Sequence, residues 1–362
     1  MTYLDYQATT PLAPQALQAM LPWLERQHAN PHSAHREGRA AKAAVEHARA
    51  QIAALLPPGG RVAFTSGATE ALNWAIKGVL GDLATVATEH AAALDTVKAQ
   101  SFGQVRIVPV GSDGLVDPAA FDFTIRDAGL ALVATMLVNN EIGTIQPVAE
   151  IATLAHQAGA LMLCDAVQGY GRVAIPEDCD LIALSAHKIY GPKGIGALWI
   201  RDGVNIEPLL HGGQQETPGR SGTLSPALCA GFGAAAALMA ERREADEAHV
   251  EQLWRAAIDR LPSEWAINGS VEHRYRGNLN IRRDGLDVNR LMSDLRDIAF
   301  SAGSACASGS GRPSHVLRAI GLNDAQARSS IRLGFGRYTT EEELVDAIDR
   351  ITATAESQAI TA

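Results

Sequence analysis

Few features of this 362-residue chain are extreme, and each shortage excludes something. Cysteine is scarce: four residues, with no framework spacing, rule out a disulfide scaffold and fit a reducing compartment. Basic residues are outnumbered, 31 against 40 acidic ones, and the net charge of −9 argues against nucleic acid as a direct partner. No apolar run is long enough to span a bilayer, and no signal peptide opens the sequence, so a cytoplasmic location and no membrane partner are expected. Internal repeats are missing too, and the one low-complexity stretch is a short Ser/Gly/Ala segment near residue 306. Apolar residues make up 47% of the chain, which suffices for two domains with their own cores.

Three apolar runs carry most of the fold information. Ala131 to Val138 ends in Asn139-Asn140-Glu141, Ala160 to Cys164 ends in Asp165-Ala166-Val167-Gln168, and Leu181 to Leu184 ends in Ser185-Ala186-His187-Lys188. Between the first two, Pro147 to Ala158 reads as a helix, with apolar Ile151, Leu154, Ala155 and Ala158 on one face and Gly159 as its stop. Strands and helices at this spacing predict a parallel sheet, whose ligands bind beyond the strands' carboxyl ends. Asn140, Asp165, Gln168, His187 and Lys188 are therefore expected at one edge.

The residue types suggest the chemistry. A lysine at a strand tip can attack an aldehyde if its surroundings favour the free amine. Asp165, ending an apolar strand, is costly to bury unpaired. A pyridoxal phosphate ring nitrogen, protonated so that the ring can accept electrons, supplies the partner; capping of the next segment is the plain alternative. Val62 to Thr65 reads as a strand, and Ser66-Gly67-Ala68-Thr69-Glu70 turns into a helix whose free amides and Thr69 hydroxyl suit an anion. His90 offers a flat ring at the end of Thr85-Val86-Ala87.

Cys164, Cys179 and Cys229 lie among apolar residues and read as core. Cys306 lies in Ser301-Ala302-Gly303-Ser304-Ala305-Cys306-Ala307-Ser308-Gly309-Ser310-Gly311, which has little to bury; beside a lysine site it reads as a nucleophile. His28, His32 and His35 are interrupted by Asn30-Pro31, so no metal is expected. Gly191 to Gly196 precedes a strand and is no dinucleotide fingerprint.

Taken together, these motifs resemble the cysteine desulfurases, class-V aminotransferases of the type-I pyridoxal-phosphate fold. The likeness runs from Tyr3-Leu4-Asp5-Tyr6 and Ala8-Thr9-Thr10-Pro11, through Asn30-Pro31, Phe64 to Glu70, Asn139 to Gly143 and Arg220-Ser221-Gly222-Thr223, to Ser330 to Arg337. Gln7 stands where the family usually has Ala. The Gly303-Ser304-Ala305-Cys306 loop resembles the subgroup serving nitrogenase and general iron–sulfur assembly.

The resemblance implies an α/β fold: a large domain (12–245) with a mainly parallel sheet flanked by helices, and a smaller α/β domain formed by 1–11 and 246–362 that carries the catalytic cysteine loop. It implies roles as well. Lys188 is the Schiff-base lysine and proton shuttle, His90 stacks on the ring and handles protons, Asp165 pairs with the pyridinium, and Gln168 meets the phenolic oxygen. Thr69, Ser185 and His187 hold the phosphate, with Thr223 arriving from the other subunit of a homodimer, and Ala68 also belongs to the cofactor site. Asn140 and Arg332 hold the carboxylate of L-cysteine, and Cys306 takes its sulfur as a persulfide for an acceptor or iron–sulfur scaffold protein. A selenocysteine lyase, another class-V aminotransferase and a catalytically silent partner protein remain as alternatives.

Overall fold

Leu181-Ile182-Ala183-Leu184 is apolar at every position, so neither face of such a strand tolerates water. In the computed structural model, which describes residues 1–100, 103–126, 129–216, 219–303 and 313–360, strand Leu181–Ser185 is buried throughout and lies inside a seven-stranded sheet. The order is Gly60–Thr65, Gly196–Arg201, Leu181–Ser185, Leu161–Asp165, Leu130–Met136, Asp82–Val86, Val105–Val108. Gly196–Arg201 pairs antiparallel with both neighbours, and the remaining pairings are parallel.

Side chains of the central strand divide by the strand's period of two. Leu181 and Ala183 join a core that includes Leu72 and Ile76 of helix Ala68–Lys77, whereas Ile182 and Leu184 join one on the opposite face. Helix Val148–Gln157 occupies the expected place and buries Ile151 and Ala155; Gly159, at φ +77°, takes the left-handed turn that ends it. The link from Asp165 to Leu181 has turns and no α-helix.

A second sheet, antiparallel, runs in the order Ser301–Ala302, Ser330–Gly334, Asn278–Arg282, Ala266–Ile267. With helix Glu341–Ile360 it buries Leu279, Ile281, Ile331, Leu333, Leu344 and Ile348 in a separate core, each such side chain contributing roughly 1.5–3 kcal/mol. Helix Pro226–Asp259 spans from Phe232 and Met239, in the core of Ile182 and Leu184, to Leu253 and Trp254 in the core of the smaller sheet. Its charged middle, Glu241 to Glu244, is exposed, as expected for a solvated connector. Both ends of this helix bury apolar side chains.

Candidate active site

The sheet's register brings strand ends together: Met136 pairs with Asp165, and Asp165 with Ala183. Beyond these ends lies a cavity of about 570 Å³, lined by Ala68, Thr69, His90, Asn140, Asp165, Gln168, Ser185, His187, Lys188 and Arg332. Ten predicted side chains thus share one space. Thr223 is exposed and does not line it, and Cys306 lies outside the described residues.

One wall is built for an anion. Strand Gly60–Thr65 turns through Ser66 and Gly67 into helix Ala68–Lys77, which has no side-chain cap, so its first amides lack intrahelical partners. Thr65 Oγ1 donates to the Gly67 carbonyl at 2.9 Å, and Glu70 Oε2 accepts the Ser66 amide at 2.7 Å. Gly196 lets this turn pack closely, since a Cβ there would stand 2.4 Å from the Leu184 carbonyl oxygen and 2.7 Å from the Gly67 carbonyl carbon. The His187 and Thr9 side chains meet at 3.1 Å (Nδ1 to Oγ1). Burial, with Lys188 and Lys193 nearby, drives the His187 imidazole down to about 4, so it is neutral at pH 7.

A second group of lining residues concerns proton and ring chemistry. Asp165 is buried, and Oδ1 accepts the Val167 amide at 3.0 Å. Burial raises its pKa, opposed by that hydrogen bond and by His90 and Lys188. His90 Nδ1 accepts the Ala92 amide at 3.0 Å, which orients the ring at the start of helix Ala91–Lys98 and leaves Nδ1 unprotonated. Burial lowers its pKa, Asp165 opposing and Lys188 and His315 reinforcing. Lys188 Nζ donates to the Gln7 carbonyl and, at 2.8 Å, to that of Ala8. Gln168 Nε2 donates to the same Gln7 carbonyl at 2.9 Å, and its Oε1 has no hydrogen-bond partner.

Arg332 is 1% exposed. Its Nη1 donates to the Asn140 carbonyl at 3.0 Å; Nη2 donates to Asp5 Oδ1 at 2.7 Å and to Ser301 Oγ at 3.3 Å. Nε is buried without a partner. Nearby, the Ser314 hydroxyl donates to Glu141, whose pKa burial raises. His315 Nε2 meets the Glu89 carbonyl at 2.8 Å.

These residues fit pyridoxal phosphate. A carboxylate buried at the cavity wall matches a pyridinium, and helix amides above a turn with open space at the Gly67 Cβ position match a phosphate.

Sequence reasoning missed several contributors. Gln7, Ala8, Thr9 and Lys193 also line the cavity, and Glu89 lies fully buried behind it with Oε2 unpartnered. Only Glu89, charged between a strand end and His90, carried a local signal.

The class-V aminotransferase family model matches residues 2–347. Cysteine desulfurase IscS of Rickettsia bellii (strain OSU 85-389) is 42% identical over 96% of this chain and 90% of its own length. The mitochondrial cysteine desulfurase of Saccharomyces cerevisiae is 43% identical over 94% of this chain and 72% of that protein. Among solved structures, a NifS-like protein from Rickettsia africae superposes with a TM-score of 0.90 at 30% identity, over 98% of this chain and 99% of that one. Strand order, cavity and sequence agree, and the chain belongs to the cysteine desulfurases of the class-V aminotransferase family.

Proposed function

We propose that the chain removes sulfur from L-cysteine with pyridoxal phosphate and passes it to an acceptor for iron–sulfur cluster or other thio-cofactor synthesis. The observation that carries this reading is the convergence on one cavity of Asp165 and Lys188, from the ends of two paired strands, with Arg332 from a distant C-terminal strand. When bound, the cofactor supplies an electron sink that weakens the Cα–H and Cβ–S bonds.

The residues divide the remaining work. Helix amides at Ala68 and Thr69, with Ser185 and His187, hold the phosphate, and Asp165 keeps the ring nitrogen protonated. Neutral His90, its Nδ1 engaged by Ala92, presents its ring face and its Nε2 proton. Arg332 and Asn140 orient the cysteine carboxylate, a task suited to a planar fork. Lys188 then moves the Cα proton. The Cys306 thiolate attacks the substrate sulfur: an S–S bond forms as Cβ–S breaks, and the bonding pair stays with carbon, which gains a proton to become alanine. Sulfur is oxidised as carbon is reduced, so no external oxidant is needed.

The same reading supports a homodimer, because Thr223 is exposed outside its own cavity and would complete a partner's. It also supports a cofactor domain of 12–245 and a smaller one of 1–11 with 246–362, joined by helix Pro226–Asp259; the smaller sheet's own core favours that division. Among the described residues no helix is long and apolar enough to cross a membrane, and we assign the protein to the cytoplasm.

The test is product release from L-cysteine with pyridoxal phosphate and a thiol reductant. Alanine and sulfide in equal amounts are expected. A cofactor-loaded protein that yields neither would defeat the proposal.

A further inference from the structure

The loop that brings Thr223 to the surface also clasps the anion-binding turn of its own subunit. At one end of that clasp, Glu216 is buried, takes two ion-paired hydrogen bonds from Arg49 (2.7 and 2.8 Å) and accepts the Phe64 amide at 2.8 Å. At the other, Arg220 Nε donates to Glu70 Oε1 at 2.9 Å, and Nη2 approaches Oε2 at 3.3 Å. That Oε2 holds the Ser66 amide. Phe64 and Ser66 flank Thr65, the last residue of the strand that leads into the turn. The backbone reinforces the clasp, since Glu216 and Arg220 exchange amide–carbonyl bonds and the Ser221 amide donates to the Leu210 carbonyl.

Charge makes this arrangement informative. Glu70 lies in the first turn of helix Ala68–Lys77, the turn whose free amides face the cavity. A carboxylate there suits the helix dipole, but opposes a second anion arriving at the same end. Burial works to protonate Glu70, yet the bonds from Arg220 and Ser66 hold it below its ordinary carboxylate value, so it stays ionised. Both partners are mostly shielded from solvent, with side chains 13% and 12% exposed, so water screens the pair poorly.

We propose that Arg220 is a positioning residue for the cofactor phosphate: it cancels the charge of Glu70, so that Glu70 can hold the Ser66 amide without repelling the phosphate. This rests on the reading of the cavity as a pyridoxal phosphate site. Because Arg220 also begins the segment ending at Thr223, one ion pair links a subunit's own phosphate turn to the hydroxyl it offers outward.

The experiment compares dissociation constants for pyridoxal phosphate and for pyridoxal, which lacks the phosphate, followed by absorbance in wild type, Arg220→Ala, Glu70→Gln and the double variant. Arg220→Ala leaves Glu70 uncompensated and is expected to weaken pyridoxal phosphate about tenfold or more, with pyridoxal nearly unchanged. Glu70→Gln, which removes the repelling charge, should cost less, and the double variant should return to its level. Arg220→Lys keeps the charge and should stay within about threefold of wild type, which also serves if Arg220→Ala does not fold. Equal weakening of both ligands in Arg220→Ala would mark a loosened fold and overturn the inference. So would unchanged affinity, or a double variant weaker than Arg220→Ala. A wild type that binds no pyridoxal phosphate would instead overturn the underlying reading of the site.

Discussion

Asp5 and Arg332, 327 positions apart, meet at 2.7 Å between Oδ1 and Nη2, and Arg332 lines the cavity. Asp5 also accepts the Ser301 hydroxyl at 2.8 Å, so the N-terminal segment and two C-terminal strands fix one guanidinium. The Nε group of Arg332 is buried without a partner, and under the proposed function this guanidinium holds the substrate carboxylate.

Arg332→Ala should therefore raise KM for L-cysteine on the order of 100-fold, the equivalent of about 3 kcal/mol for a charge-assisted pair. The visible cofactor band should remain. Steady-state kinetics beside an absorbance spectrum decides it: an unchanged KM would remove Arg332 from the substrate site.

Lys188 and Cys306 should fail differently. Lys188→Ala should lose the visible band of the lysine-bound cofactor and slow turnover by on the order of 10³-fold or more. Cys306→Ala should keep the band and lose desulfuration. Persistent wild-type turnover in the cysteine variant would sink its assignment as sulfur acceptor.

Glu89 is fully buried, accepts the Met136 amide through Oε1, and has no partner at Oε2. Burial, helped by the Asp165 charge, pushes its pKa well above the ordinary 4.5. The folded protein thus keeps a proton that the unfolded chain releases above pH 4.5, and stability from this group falls as pH rises. Glu89→Gln stays neutral and should gain on wild type in denaturant unfolding as pH rises above 4.5. A difference independent of pH would show Glu89 ionised in the fold.

His187 has the opposite sign. Its folded pKa of about 4 lies below the ordinary 6.5, so the unfolded chain takes up the proton first as pH falls. In cofactor-free protein, wild type should lose stability relative to His187→Asn between pH 6.5 and 4. Parallel pH curves for the two proteins would contradict a neutral, buried imidazole.

Much of this site was legible locally. An all-apolar strand must be covered on both faces, and the polar residues that end it then fall at a sheet edge; that placed Asp165, Gln168, His187 and Lys188 from their neighbours alone. Helix Val148–Gln157 was likewise announced by its apolar spacing and Gly159. Strand order was not legible: Gly60–Thr65, early in the chain, lies beside the late strand Gly196–Arg201, and only this pairing brings the Ser66-Gly67 turn against Gly196. The crossing of the N-terminal segment over Lys188, and the clasp of Glu216 and Arg220 on that turn, were equally hidden. Side-chain polarity and backbone preference act over a few neighbouring positions, so the linear order of residues is enough to show which of them end strands and begin helices. Tertiary structure alone decided which of those ends share a cavity, because ion pairs and backbone hydrogen bonds between distant segments leave no periodic pattern in either one.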